Sequence, residues 1–158
     1  MRTSAVADTG PLIILYQIGL LPLLRGLYEK LFIPEAVRNE LLRGPSGRAM
    51  LASGLVEVRP VSDRGAVEIL RAFLDEGEAE AIQLARELEA TVIMDERRGR
   101  RIAKSLGLRV RGTLGILLEL KRKGLIDSVK PFIERMFEKG YYLGEELVRE
   151  VLRAANEL

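Results

Sequence analysis

Short unbroken apolar runs alternate along the chain with stretches in which apolar residues recur every three to four positions. These two periods mark strands and helices respectively. Residues 4–7 (Ser4-Ala5-Val6-Ala7) form a first short strand ending at Asp8, and Leu31-Phe32-Ile33 forms a second. Thr91-Val92-Ile93-Met94 is a continuous β-type run ending at Asp95, as expected of a buried parallel strand. Residues 56–61 alternate instead, and Pro60 favours an edge position; residues 108–110 give a last short strand.

Helical patterns fill the intervals. Residues 12–18 and 20–28 read as two short helices broken at Gly19, with Thr9 or Gly10 as cap and Pro11 at a first helical position. Pro34 opens a helix to about residue 43, and a small helix precedes Gly54. Ser62 caps a helix to about residue 73, a longer one covers 76–89, and an Arg-rich one covers 97–106 until Gly107 stops it. Thr113 caps a helix over 114–123. Strands alternating with helices predict an α/β fold around a mainly parallel sheet. The end of the chain differs: Val129, Phe132, Ile133, Met136 and Phe137 form one helical stripe, and Leu147, Val148, Val151, Leu152 and Ala155 another. With Gly140 and Gly144 between them, they predict a helical hairpin at 127–157 appended to a sheet core at 3–124, all within one domain.

Composition narrows the chemistry. The 158 residues are 47% hydrophobic and 30% charged, in the range of globular proteins, and contain neither histidine nor cysteine. An imidazole base, a thiolate nucleophile and a nitrogen- or sulfur-ligated zinc site are therefore excluded. No apolar run approaches the roughly 20 residues needed to cross a bilayer, so no membrane partner is expected. Without cysteine or a targeting signal, the cytoplasm is the expected compartment. The net charge is only +2, but Arg97, Arg98, Arg100, Arg101, Lys104, Arg109 and Arg111 form a segment with no acid among them.

Carboxylates remain as the candidate chemistry. Asp8 and Asp95 each follow an apolar strand, where open α/β sheets place their ligands; an Asp there is also an ordinary turn residue. Glu78 shares its helical face with Ala81, Ile82 and Ala85, which turns it toward the core edge. Its alternative role is a capping box with Asp75, itself read simply as the cap. Glu80, facing Gln83, Leu84 and Glu87, is expected on a mixed and mostly solvated side. Glu40 borders the face carrying Ile33, Val37 and Leu41. Four gathered carboxylates repel one another, and a hard divalent cation would offset that repulsion and activate water.

At these residues the chain resembles the PIN-domain nucleases, and within them the VapC-like toxin branch. The segments that carry the resemblance are residues 6–13, 33–41, 77–82, 92–96 and 112–117, in family order. The resemblance implies a three-layer α/β/α sandwich, Mg²⁺ or Mn²⁺ as cofactor and endonucleolytic cleavage of RNA. Carried over by position, it makes Asp8, Glu40, Glu78 and Asp95 the catalytic metal ligands, with Glu96 in reserve beside Asp95 and Glu80 a weaker alternative to Glu78. It also implies a homodimer and a small antitoxin protein as inhibitor. The basic segment then begins beside the metal site, and Arg97, Arg98, Arg101 and Lys104 are expected to hold the RNA backbone.

Two other function classes stay in view. One is a noncatalytic RNA-binding or regulatory module on the same fold. The other is a phosphotransfer or phosphatase domain with Asp8 as nucleophile, against which Asp8-Thr9-Gly10 lacks a second Asp two positions on. The absence of a Gly-rich loop ending in Gly-Lys-Ser/Thr disfavours a P-loop NTPase.

Overall fold

A computed structural model describes residues 3–158. Five strands, β1 (Ala5–Ala7), β2 (Leu31–Ile33), β3 (Glu57–Val58), β4 (Thr91–Ile93) and β5 (Val110–Arg111), form one all-parallel sheet in the order β3-β2-β1-β4-β5. Parallel neighbours need crossover connections, and helices supply them. They are α1 (Thr9–Gln17), α2 (Glu35–Leu41), α3 (Pro45–Ser53), α4 (Arg64–Leu70), α5 (Glu76–Leu88), α6 (Arg97–Ser105), α7 (Thr113–Arg122), α8 (Lys130–Glu138) and α9 (Glu145–Ala154).

Side chains of the strands divide between two cores according to the period of two. Ala5, Ala7, Ile33 and Ile93 pack with α1, α7, α8 and α9 through Leu12, Leu15, Ile116, Leu117, Ile133 and Val151. Val6, Phe32, Val92 and Met94 pack with α4, α5 and α6 through Val67, Ile82, Leu84 and Ala103. The result is the expected three-layer α/β/α arrangement. The terminal helices share the first core, and Glu157 fixes the chain end by accepting amide hydrogens from Val129 (2.7 Å) and Lys130 (3.0 Å) while pairing with Lys121 (3.0 Å).

Several local expectations are corrected. The short helix expected over 20–28 is a 3₁₀ helix confined to Leu21–Gly26, and Gly26 sits where a Cβ would collide with the Leu125 side chain. The strand expected over 56–61 is confined to Glu57–Val58, on the edge that Pro60 favours. The last strand is Val110–Arg111, starting two residues and ending one residue later than expected. Asp63, not Ser62, caps α4, its carboxylate accepting from Ala66 N (3.0 Å). Neither Thr9 nor Thr113 is a cap: both lie inside their helices, and Asp8 and Gly112 occupy the cap positions.

Candidate metal centre

The strand order reverses between β1 and β4. From β1 the chain crosses to β2 on one side; from β4 it crosses to β5 on the other. Helices leaving these two strands therefore diverge, α1 into one core and α6 into the other. The crevice opened at such a switch point, beyond the carboxyl ends of the strands, is where doubly wound sheets place their ligands. Asp8 directly follows β1, and its amide donates to Ile93 O of β4 at 2.9 Å, which closes the pair. Asp95 stands two residues after β4.

Four helices begin at this rim: α1 at Asp8, α5 at Asp75, α6 at Glu96 and α7 at Gly112. Their amino-terminal dipoles and unsatisfied amides favour negative charge. Asp75 accepts from Glu78 N (2.8 Å), Glu96 from Gly99 N (2.8 Å) and Asp95 from Thr113 N (2.7 Å). Asp8 occupies a cap position without making a side-chain capping bond.

Threonine hydroxyls orient two of the acids. Thr9 Oγ1 donates to Glu40 Oε2 at 2.7 Å, and Thr113 Oγ1 donates to Asp95 Oδ2 at 2.6 Å. Asp95 thus has both oxygens engaged by one residue, yet a carboxylate offers about four lone-pair sites, so each oxygen retains acceptor capacity. Gly77 completes the setting of Glu40: a methyl group there would collide with Glu40 Oε1. Gly112 does the same for Asp95, since a Cβ at that position would stand 2.8 Å from Asp95 Oδ1 and 2.7 Å from an Arg100 guanidinium nitrogen.

Protonation behaviour records the crowding. Asp8 is pushed up to about 6, first by burial, then by the charges of Asp75, Glu40 and Asp95, against an opposing hydrogen bond from the Thr9 backbone. Glu78 is pushed up to about 7 by partial burial and by the charges of Asp75, Asp8 and Glu96. Glu96 lies below the usual carboxylate range, chiefly because the Gly99 amide hydrogen-bonds to it, with the Arg98 and Arg101 charges adding to the effect. Asp8, Glu40, Asp75, Glu78, Asp95 and Glu96 therefore act within one electrostatic field. Among the described residues, however, no three carboxylates are close enough to form a ready-made cation cage. The donor set is all oxygen, which suits Mg²⁺ or Mn²⁺, and the mutual repulsion is of the kind a divalent cation relieves.

Two sequence readings change here. Asp75 does cap α5, but its charge is also the largest of those that raise Glu78 and Asp8. The capping signature hid this role; a helix start facing the strand ends was the available signal. Glu80 is not on a solvated side: only 3% exposed, it accepts from Ala36 N (3.0 Å) and pairs with Arg64 (3.0 Å), joining α5 to α2 and α4. Its helix is covered on several faces at once, so Gln83 and Leu84 are buried as well. The RNA-binding candidates Arg97, Arg98 and Arg101 are exposed on α6, with Arg98 reaching Phe73 O (3.4 Å); Lys104 faces a groove shared with Arg100 and Arg111.

Residues 4–157 match a family model described as PIN domain. No curated protein matches the chain. No helix among the described residues is long and apolar enough to cross a membrane.

Proposed function

Because the chain belongs to the PIN-domain family, a fold of nuclease type, we propose that it is a metal-dependent endoribonuclease acting through Asp8, Glu40, Glu78 and Asp95. The observation that carries the reading is the electrostatic coupling of acids from separate elements at the β1/β4 switch point, with Asp8 raised to about 6 and Glu78 to about 7. Asp75 belongs with them as a neighbouring charge, and Glu96, committed to the α6 cap, remains the reserve for Asp95.

Asp8, Glu40, Glu78 and Asp95 would hold Mg²⁺ or Mn²⁺, which would supply positive charge to the phosphodiester and lower the pKa of water. The chain supplies the positioning. Thr9 holds Glu40 and Thr113 holds Asp95, so neither carboxylate must be ordered when substrate arrives. Hydrolysis also needs a water to lose a proton and a ribose oxygen to gain one. With histidine and cysteine absent, that exchange falls to solvent or to a rim carboxyl outside the ligand set, since Asp8 and Glu78 must give up their protons to hold the cation. Lys104 of α6 shares a groove with Asp95 and would bear on the RNA backbone, with Arg97, Arg98 and Arg101, exposed on the same helix, adding positive charge.

The resemblance of residues 6–13, 33–41, 77–82, 92–96 and 112–117 to VapC-like toxins supports the finer reading of a cytoplasmic toxin, working as a homodimer and restrained by a small antitoxin. A noncatalytic RNA-binding module is the second reading, favoured by the double engagement of Asp95 with Thr113 and by the spacing of the carboxylates. Cleavage of labelled RNA in Mn²⁺, with and without chelator, separates them. The enzyme reading expects metal-dependent cutting that Asp8→Asn abolishes while the far-ultraviolet circular dichroism is unchanged. Equal cutting by the variant, or RNA binding without any cutting, removes it.

A further inference from the structure

We propose that the RNA strand is gripped on one side only of the bond to be cut, in the groove between α6, β5 and α7. The proposal rests on the nuclease reading and adds to it the path of the substrate. Two cavities of nearly equal size flank the carboxylates, of ≈ 620 Å³ and ≈ 610 Å³, so space does not distinguish them. Charge does. The first opens from Asp95 and is lined by Arg100, Lys104, Arg111 and Arg122 against the acids Asp95 and Glu119. The second opens from Glu40 and sets the single cation Arg43 against Glu40, Asp75 and Glu76. Four bases facing two acids attract a polyanion; one base facing three acids repels it.

The shape of the first groove agrees with a strand lying in it. Gly115 forms part of its lining, with only Arg111 Cδ near the position a Cβ would take, so a strand can approach the backbone closely there. At its mouth Gly112 leaves the Asp95 and Arg100 side chains their room. Leu114, Leu118 and the half-exposed Leu147 give an apolar strip on which a base or ribose can rest. Lys104 and Arg111 are exposed toward solvent, Arg111 with one guanidinium nitrogen on Val110 O (3.2 Å), whereas Arg100 is only partly exposed and donates to Met94 O (3.0 Å), and Arg122 is paired with Glu119 (2.9 Å). Lys104 and Arg111 are accordingly the principal phosphate contacts. On the Glu40 side the same strand meets a net negative wall, so that end of the RNA contributes little to affinity and leaves readily after the cut.

Binding of a short labelled oligoribonucleotide to the Asp8→Asn protein in chelator, followed by fluorescence anisotropy across a salt series, tests this without requiring cleavage. Lys104→Gln and Arg111→Gln should each weaken binding severalfold and flatten the slope of log K against log salt by about 0.7 per lost contact. Arg43→Gln should change Kd by less than about twofold. In wild-type protein with Mn²⁺, trimming the RNA from one end until a single nucleotide remains beyond the scissile bond should leave the rate nearly unchanged, and the same trimming from the other end should abolish it. Affinity indifferent to Lys104 and Arg111, or lowered equally by Arg43→Gln, overturns the one-sided grip, as does a rate that depends on both ends alike. Wild-type protein that cuts no RNA overturns the nuclease reading instead, and the binding arm still decides the groove.

Discussion

Asp8 combines half-burial, a helix-cap position without a capping bond and three acidic neighbours, so its charge, like that of Glu78, is unfavourable at the rim. Its carboxyl and that of Glu78 hold their protons to higher pH in the folded chain than in the unfolded one. Any stability linked to that protonation is complete below about pH 4 and is lost as pH rises through about 6 for Asp8 and about 7 for Glu78. Glu87, Glu96 and Glu157 act in the opposite sense, since they are lowered, and their contribution falls away only in acid. Metal-free protein should therefore show a urea midpoint that rises from about pH 8 to about pH 5.5 and declines again below about pH 4. Asp8→Asn should raise neutral-pH stability by about 1–3 kcal/mol, measured by the same titration, and remove part of that slope. Glu80 gives the contrasting case. Glu80→Ala should cost about 1–3 kcal/mol because the Ala36 amide loses its acceptor, while metal affinity stays as in wild type. The positions of Asp8 and Asp95 were legible because each terminates an apolar run. The burial of Glu80 was not, because a helix-face pattern registers one covered side and α5 has several.

At the scale of elements, hydroxyl and carboxylate exchange the roles that local sequence suggests. Thr9 and Thr113 precede apolar helical stretches and so look like caps, yet each lies at a first helical position and donates its hydroxyl to an acid from another element. Only the tertiary approach of α2 to α1, and of the β4 end to α7, could reveal that exchange. On the proposed function Glu40 and Asp95 hold the cation, and outer partners of such ligands commonly matter by 10–100-fold. Thr113→Val should accordingly lower the rate of RNA cleavage by about 10–100-fold at a stability cost of about 1 kcal/mol, and Thr113→Ser should restore most of it. Central strands were readable from their uninterrupted apolar runs; the edges β3 and β5 were readable in place but not in extent, two residues each. Their extent depends on how far a neighbour offers hydrogen bonds, which periodicity does not encode.

For the whole molecule, parallel pairing with a reversal at β1/β4 brings acids separated by as many as 87 positions to one rim, from Asp8 to Asp95. The alternation of strands and helices specified the fold class, but the strand order, and with it the juxtaposition, had to come from the structure. The same topology sets a basic groove on one flank and an acidic one on the other. The central claim is that these distant carboxylates share a divalent cation. Calorimetric titration of Mn²⁺ into metal-free wild-type and Asp8→Asn protein near pH 6.5, in two buffers of different ionisation enthalpy, measures it most directly. The account predicts saturable binding with release of protons in the wild type and affinity at least about tenfold weaker in Asp8→Asn. Unsaturable wild-type binding, or the same affinity and proton release in both proteins, would contradict it.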